Sequence, residues 1–298
     1  MNADLHIHSK DCSDGKWGIK EILNHAHSNY IEVISITDHD SISCQELASN
    51  YAKELNIRYI TGVEISIRYK LTLNGIKLEG PLDILGYGFD ITNLHLRETL
   101  ELLSSHRRER IKKIVANLNR RLKEEGYLPI SQREIDEMET QVGASIGRPH
   151  LADLLVKTGR VRDRKEAFDR YLNGMNIPKY PLSLEKVSTL IRAAGGKVIL
   201  AHPNDPNGTS LKKFFEDLKD QFSHIEIYML PFLDGIECWH TRHDNRSSDS
   251  YSKFAMEHGL LRTGGSDCHQ NPVRIGAVKI PGEALEEFLA SLGGANGD

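Results

Sequence analysis

Short apolar runs alternate with longer amphipathic stretches over most of this 298-residue chain. Ala3-Asp4-Leu5 with Ile7, and residues 32–37, 57–67, 197–201, 233–238 and 260–263, are rich in Ile, Val and Leu and predict buried strands. Between them the apolar positions take a helical spacing. Ile19, Ile22, Leu23 and Ala26 predict one helix face over residues 18–30. Residues 43–56 predict a second helix, with Ser43 as N-cap and Glu46 three positions on. Asn74-Gly75 predicts a hairpin turn within residues 69–76, after which the chain returns through Leu82, Ile84 and Leu85.

From about Ile91 the period changes. Residues 94–125 predict one long charged helix whose stripe is Leu100, Leu103, Ile111, Ile114, Val115, Leu118 and Leu122. Shorter helices follow over residues 131–139, 148–158 and 164–172, with Gly159 and Gly174 at helix ends. No strand pattern interrupts this stretch. Residues 92–181 therefore predict a helical insertion capping one face of a body built from residues 1–91 and 182–298. The body resumes with a helix over residues 183–194, and no repeat or low-complexity run is visible.

The predicted strands share a feature: a histidine or a carboxylate stands at or just past their ends. His6 and His8 lie two apart, which on a strand puts both imidazoles on one face. His39 follows the second run, Glu64 falls near the end of the third, and His202, Asp267 and His269 follow later ones; Asp14 lies in the first loop. A lone histidine is more often a structural or surface residue than a ligand. Accidents recurring at successive strand ends are another matter. Nitrogen and oxygen donors gathered this way suit a cluster of divalent metals, on a parallel barrel whose functional rim lies at the C-terminal strand ends.

A net charge of −4 argues against a dedicated duplex-DNA binder, though not against a local basic groove. The basic stretch His106-Arg107-Arg108-Glu109-Arg110, with Lys112 and Lys113, reads either as a solvated helix face or as a rim attracting phosphates. Four scattered cysteines (Cys12, Cys44, Cys238, Cys268) include no Cys-x-x-Cys pair and are expected to be reduced thiols of a cytoplasmic protein. Cys268 as a nucleophile is set aside, because its neighbours read as ligands. Met1 leads directly into the first strand, so no signal peptide is expected, and no apolar run is long enough to cross a bilayer. The tail 293–298 is expected to fray.

Taken in order, Asp4-Leu5-His6-Ile7-His8-Ser9, Ser13-Asp14-Gly15, Thr37-Asp38-His39-Asp40, Gly62-Val63-Glu64, Ala201-His202-Pro203 and Gly265-Ser266-Asp267-Cys268-His269 resemble the motifs of the PHP (polymerase and histidinol phosphatase) phosphoesterases. The likeness covers the whole chain. It implies an α/β fold, a distorted (β/α)7 TIM-like barrel with an inserted helical cap. Leu85-Gly86-Tyr87, Gly147-Arg148-Pro149-His150 and Trp239-His240-Thr241-Arg242-His243 point to the stand-alone bacterial members. Those remove phosphate from nucleoside 3′,5′-bisphosphates or trim short RNA.

The resemblance also implies ligands. One metal would take His6, His8 and Asp267 with Glu64 as a bridge; a second, Asp14, His39 and His269; a third, Glu64, His202 and Asp83. The family pattern has His where this chain has Asp83. That residue is either a hard oxygen donor or a turn aspartate after Pro81. The site is accordingly expected to hold two or three divalent ions, with Mn2+ favoured and Fe2+, Zn2+ or Mg2+ as alternatives. A hydroxide shared by two of them would attack phosphorus in line.

Arg148 and His150, at a helix start, are expected to hold the substrate phosphate, with His240, Arg242 and His243 at the rim. Asp267 is either a ligand alone or also the group that orients the nucleophile's proton. The leaving-group acid is left among His240, His243 and a metal-bound water. The implied substrate is a nucleoside 3′,5′-bisphosphate such as pAp, or the phosphate end of a short RNA. The alternatives are a histidinol-phosphate or other small-molecule phosphatase, and a non-catalytic metal- or nucleotide-binding module. No membrane partner is expected, and the oligomeric state stays open.

Overall fold

The computed structural model describes residues 1–73, 75–142, 145–175 and 177–293. Asn74 of the predicted turn and residues 294–298 of the tail lie outside them.

The chain opens with β1 (Ala3–Asp4), α1 (Ile19–Ser28), β2 (Val33–Ile34), α2 (Gln45–Glu54) and β3 (Arg58–Tyr59), followed by a long hairpin of β4 (Gly62–Leu73) and β5 (Ile76–Tyr87). Residues 92–181 contain α3 (Leu94–Glu124), α4 (Gln132–Val142), α5 (Arg148–Lys157) and α6 (Arg164–Ala167), the last running on into a π turn over Phe168–Leu172. The body then adds α7 (Leu184–Ala193), β6 (Lys197–Leu200), α8 (Leu218–His224), β7 (Gly235–His240), α9 (Asn245–Glu257), β8 (Leu261–Gly265) and α10 (Gly282–Ser291). No helix among the described residues is long and apolar enough to cross a membrane.

The fold is mixed α/β, but the expected distorted (β/α)7 barrel does not appear as one closed sheet. The strands form a parallel three-stranded sheet, β1-β2-β3, and a mixed five-stranded sheet, β4-β5-β6-β7-β8, in which β5 runs antiparallel to both neighbours. Single-residue bridges join the two sheets, Ile7 to Cys268 on one side and His39 to Glu64 on the other. The ladder breaks at these seams because the residues there turn their side chains inward. Asp40, His202, Asp267 and Gln270 all have positive φ, at 50°, 25°, 51° and 57°, a region that side chains disfavour and that recurs at functional sites. Buried Asp4 staples one seam, accepting the backbone N–H of Ser266 at 2.9 Å and of Gly276 at 2.8 Å.

Three boundaries differ from expectation. The predicted third strand splits after Tyr59, which places Glu64 near the start of β4 rather than near a strand's end. Cys44, not Ser43, occupies the N-cap of α2, since the Ser43 hydroxyl is turned to Ser41 at 3.0 Å. His240 is the last residue of β7 rather than one beyond it. The expectation of four thiols is also corrected. Cys12 and Cys44 form a disulfide, because the loop after β1 folds onto the start of α2; Cys238 and Cys268 are free and buried.

Packing explains the two-part layout. Leu96, Leu100 and Leu103 at the start of α3 join the core of the body, with Val63, Ile65, Ile84 and Val187. Further along the same helix, Ile111, Ile114, Val115, Leu118 and Leu122 pack with Leu151, Leu155 and Tyr171 in a core made only of insertion residues. One 31-residue helix thus belongs to both cores, and each buried Leu or Ile contributes about 1.5–3 kcal/mol to anchoring it. Glycines permit the closest approaches: a Cβ at Gly265 would lie 2.5 Å from the backbone nitrogen of His6, and one at Gly15 would lie 2.3 Å from the carbonyl oxygen of His8.

Candidate metal centre

The seams bring His6, His8, Asp14, His39, Glu64, His202, Asp267 and His269 together. Glu64 is central and almost fully buried. Its Oε1 lies 2.9 Å from His202 Nε2, while its Oε2 lies 2.8 Å from His39 Nδ1, 3.3 Å from His8 Nε2 and 3.5 Å from His6 Nε2. Asp267 Oδ1 sits 3.2 Å from His8 Nε2 and 3.6 Å from His6 Nε2, and Asp14 Oδ1 sits 3.1 Å from His269 Nε2. Three overlapping groups have ligand atoms within 4.8 Å of one another: His8, Asp14, His39 and His269; His6, His8 and Asp267; His6, Glu64 and His202.

These residues fit divalent cations. None of the three imidazoles around Glu64 Oε2 is aligned as a hydrogen bond to it, His39 Nδ1 has only that close approach, and Nδ1 of His8 and of His202 is buried without a hydrogen-bond partner. Nε2 of His6 and of His8 face each other at 3.2 Å. Buried polar atoms are normally satisfied, so donors aimed at one another around shared points call for ions between them.

The charges tell the same story. Burial would raise Asp14, Glu64 and Asp267, but the facing imidazoles outweigh it and hold all three well below the carboxylate range. Burial would lower the histidines, yet the carboxylates outweigh it, raising His8 to about 10, His202 to about 9 and His6 well above its ordinary value. In the metal-free protein, protons therefore supply the positive charge, and metals must displace them.

Two buried carboxylates that were not among the expected ligands support the cluster. Glu237 on β7 accepts from His6 Nδ1 at 3.0 Å and from the backbone N–H of His202 at 2.7 Å. It thereby fixes the His6 tautomer that leaves Nε2 free. Asp38 accepts from the Ser9 N–H at 2.7 Å and the Ser9 hydroxyl at 2.6 Å, and burial pushes its carboxyl up to about 6. Asp38 was visible as part of the Thr37-Asp38-His39-Asp40 motif, though not as a support for Ser9; Glu237 had no signal.

A cavity of about 450 Å3 opens over the cluster. Arg107 and Arg110 of α3, Arg148 and His150 of α5, Lys179 and Arg242 bring cations and an imidazole to its wall. The basic stretch on α3 is thus divided: Arg107 and Arg110 face the cavity, whereas Arg108, Lys112 and Lys113 are exposed. Arg107 is ion-paired to Asp40, and Arg242 to Asp205 at 2.6 Å. His150 links the insertion to the body, with Nδ1 accepting the Gly147 N–H at 3.0 Å and Nε2 donating to the Ser13 carbonyl at 3.2 Å.

His240 and His243 stand behind the cavity wall. His240 is buried with Nε2 3.5 Å from Asp267 Oδ2. His243 donates from Nδ1 to the Cys238 carbonyl at 3.1 Å and accepts the Asn204 N–H at Nε2 at 3.2 Å, so neither nitrogen is left for a substrate. Asp83 lines the cavity, but its Oδ1 accepts the Ser66 hydroxyl at 2.6 Å, and among the described residues it joins none of the three groups. Among the described residues, the ligand atoms grouped with those of Glu64 and His202 come from His6.

Comparison with known proteins gives matching results. The profile of the PHP domain matches residues 4–176. A 5′-3′ exoribonuclease of Haemophilus influenzae is 29% identical over 272 residues, covering 89% of each chain. A 3′,5′-nucleoside bisphosphate phosphatase of Chromobacterium violaceum is 29% identical over 277 residues, covering 90% of this chain and 87% of its own. Among solved structures, a Bifidobacterium adolescentis protein provisionally described as a metal-dependent phosphoesterase superposes with a TM-score of 0.78 at 26% identity, covering 97% of this chain and 96% of its own.

Proposed function

This chain belongs to the PHP domain family, and from that premise we propose that it is a metal-dependent phosphoesterase acting on phosphate monoesters of nucleotides. A nucleoside 3′,5′-bisphosphate such as pAp, or the phosphate end of a short RNA, is the substrate class that fits. The observation that carries this reading is Glu64 Oε2, buried among three imidazole nitrogens at 2.8–3.5 Å with no hydrogen bond of its own. The Haemophilus and Chromobacterium relatives support the nucleotide and RNA substrates.

His6, His8 and Asp267 with Glu64 would hold one divalent ion, Mn2+ being favoured, and Asp14, His39 and His269 a second. When bound, such ions supply an acidified water and neutralise phosphoryl charge. The chain's own groups do the rest. Arg148 is half-buried at the start of α5, where burial lowers its pKa and helix N–H groups also favour an anion, and it would orient phosphoryl oxygens. Arg242, held by Asp205, would screen the opposite rim. Asp267 would orient a proton of the attacking water, and His240, 3.5 Å behind it, would tune that carboxylate. Residues 92–181 would act as a cap, bringing Arg107, Arg110 and Arg148 over the substrate.

With Mn2+ the protein is expected to release inorganic phosphate from pAp, and His8→Ala to abolish that release. A fully active His8→Ala variant would overturn the reading.

A further inference from the structure

Among the described residues, three cations on the cavity wall have no carboxylate within ion-pair distance: Arg110 and Arg148, which donate to the backbone carbonyls of Ile177 and Leu172, and Lys179. Lys179 lies in the segment linking the insertion to α7. Its ammonium donates to the Ser66 hydroxyl at 2.8 Å, and that hydroxyl donates onward to Asp83 Oδ1 at 2.6 Å. Ser66 and Asp83 are cross-strand partners on β4 and β5, so the hairpin itself sets the spacing. The Ser66 backbone N–H donates to Asp40 at 2.9 Å, and Asp40 in turn holds Arg107. Among the described residues no carboxylate oxygen approaches the Lys179 nitrogen within 4.0 Å, in contrast to Arg107 and Arg242. Lys179 lines the cavity shared with Glu64, His202 and Asp83, and among the described residues Ser66 is the one hydrogen-bond partner of an ammonium that carries three N–H donors.

We infer that Lys179 is a substrate-positioning residue: it takes an oxygen of the substrate phosphate beside the metal cluster. It thereby takes the side of the cavity where Asp83 would have held an ion, and Asp83 is not a metal ligand. This rests on the metal-centre reading above.

Three observations carry it. Asp83 is turned to Ser66 and belongs to none of the three ligand groups. A partly desolvated ammonium with one neutral partner is costly unless an anion completes its shell. The anion that enters this cavity in the proposed reaction is a phosphate, for which lysine serves as a point charge. Arg107 is unsuited to the task, being already committed to Asp40.

The test combines metal counting with phosphate binding. Wild type, Lys179→Met, Lys179→Arg, Asp83→Asn and His8→Ala are loaded with Mn2+ and desalted. Bound metal is measured by elemental analysis, and inorganic phosphate affinity by calorimetry. Both Lys179 variants and Asp83→Asn are expected to hold as many ions per chain as wild type. Phosphate should bind Lys179→Met at least tenfold more weakly than wild type, with Lys179→Arg recovering part of the loss. A purely structural lysine would leave phosphate affinity in the folded variant unchanged. Three ions in wild type that fall to two in Asp83→Asn would overturn the inference, as would phosphate affinity in Lys179→Met within twofold of wild type. Failure of wild type to bind any Mn2+ would instead remove the metal-centre reading itself. Loss of metal in His8→Ala with Lys179→Met unaffected in both measurements would remove the lysine's role alone.

Discussion

Replacing Glu237 by Gln tests how the protein prepares its ligands. The carboxylate is fully buried and accepts two N–H groups, from His6 Nδ1 at 3.0 Å and from the His202 backbone at 2.7 Å. A glutamine of the same shape has one acceptor and one donor. If its oxygen stays with the His202 N–H, its NH2 faces His6 Nδ1 and stabilises the tautomer protonated at Nε2. That nitrogen is the one facing His8 and Asp267, so the ligand is lost until the tautomer is reversed. If the amide turns the other way, the His202 N–H is left without an acceptor, at a cost of about 1–3 kcal/mol. Either arrangement penalises the metal-ready state. Disrupting such support behind a ligand typically costs about 10–100-fold in metal affinity, or about 1.4–2.7 kcal/mol. The assay is competition for Mn2+ against a chelator of known affinity, with circular dichroism to confirm folding. A folded Glu237→Gln variant that binds Mn2+ as tightly as wild type would refute the reasoning.

Other expectations follow from the same geometry. Arg148→Met should raise KM for pAp about tenfold or more while leaving bound metal unchanged, since a charge-assisted contact is worth about 1.5–3 kcal/mol; an unchanged KM would exclude the contact. Mn2+ at about 100 times its dissociation constant should stabilise the fold by about 2.7 kcal/mol per ion, seen as a rise in melting temperature that chelation reverses; a melt indifferent to Mn2+ would contradict binding at the cluster. Buried His224 is hydrogen-bonded to the Tyr69 hydroxyl at 2.7 Å, and burial pushes its pKa down to about 4. The unfolded chain therefore takes up this proton first, so the contribution of His224 to stability is intact above about pH 6.5 and lost as the pH falls towards 4. Denaturant titrations should show His224→Gln losing less stability than wild type across that window, and parallel curves would contradict this.

Much of the site was legible in the sequence because its signals are local. His6-Ile7-His8 places two imidazoles on one face by strand geometry, and Asp267-Cys268-His269 repeats the spacing directly across the same seam. His202 follows an apolar run that had to be a strand, and Glu64 falls within another. Supporting contacts were hidden because they are not local. Glu237 looks like an ordinary acidic residue inside an apolar strand until the fold sets it behind His6. The turn of Asp83 to Ser66 depends on the hairpin register, which periodicity alone does not fix. His243 sat at a strand end beside His240, yet its ring is consumed by backbone partners.

The fold shows the same division. The helices of the insertion were clear from their apolar stripes. Leu218–His224, Asn245–Glu257 and Gly282–Ser291 were not anticipated. β1, β2 and β3 keep only two laddered residues each, because the chain leaves the sheet early to deliver ligands. The Cys12–Cys44 pairing follows from a loop-to-helix contact that no cysteine spacing announces.

The central claim is that distant histidines and carboxylates share divalent ions. It is met most directly by anomalous X-ray scattering at the manganese edge from crystals grown with Mn2+. The account predicts manganese peaks within bonding distance, about 2.0–2.3 Å, of Nε2 of His6 and His8 and of the carboxylates of Glu64, Asp14 and Asp267. Mn2+-soaked crystals with no peak inside this ring of residues would contradict it.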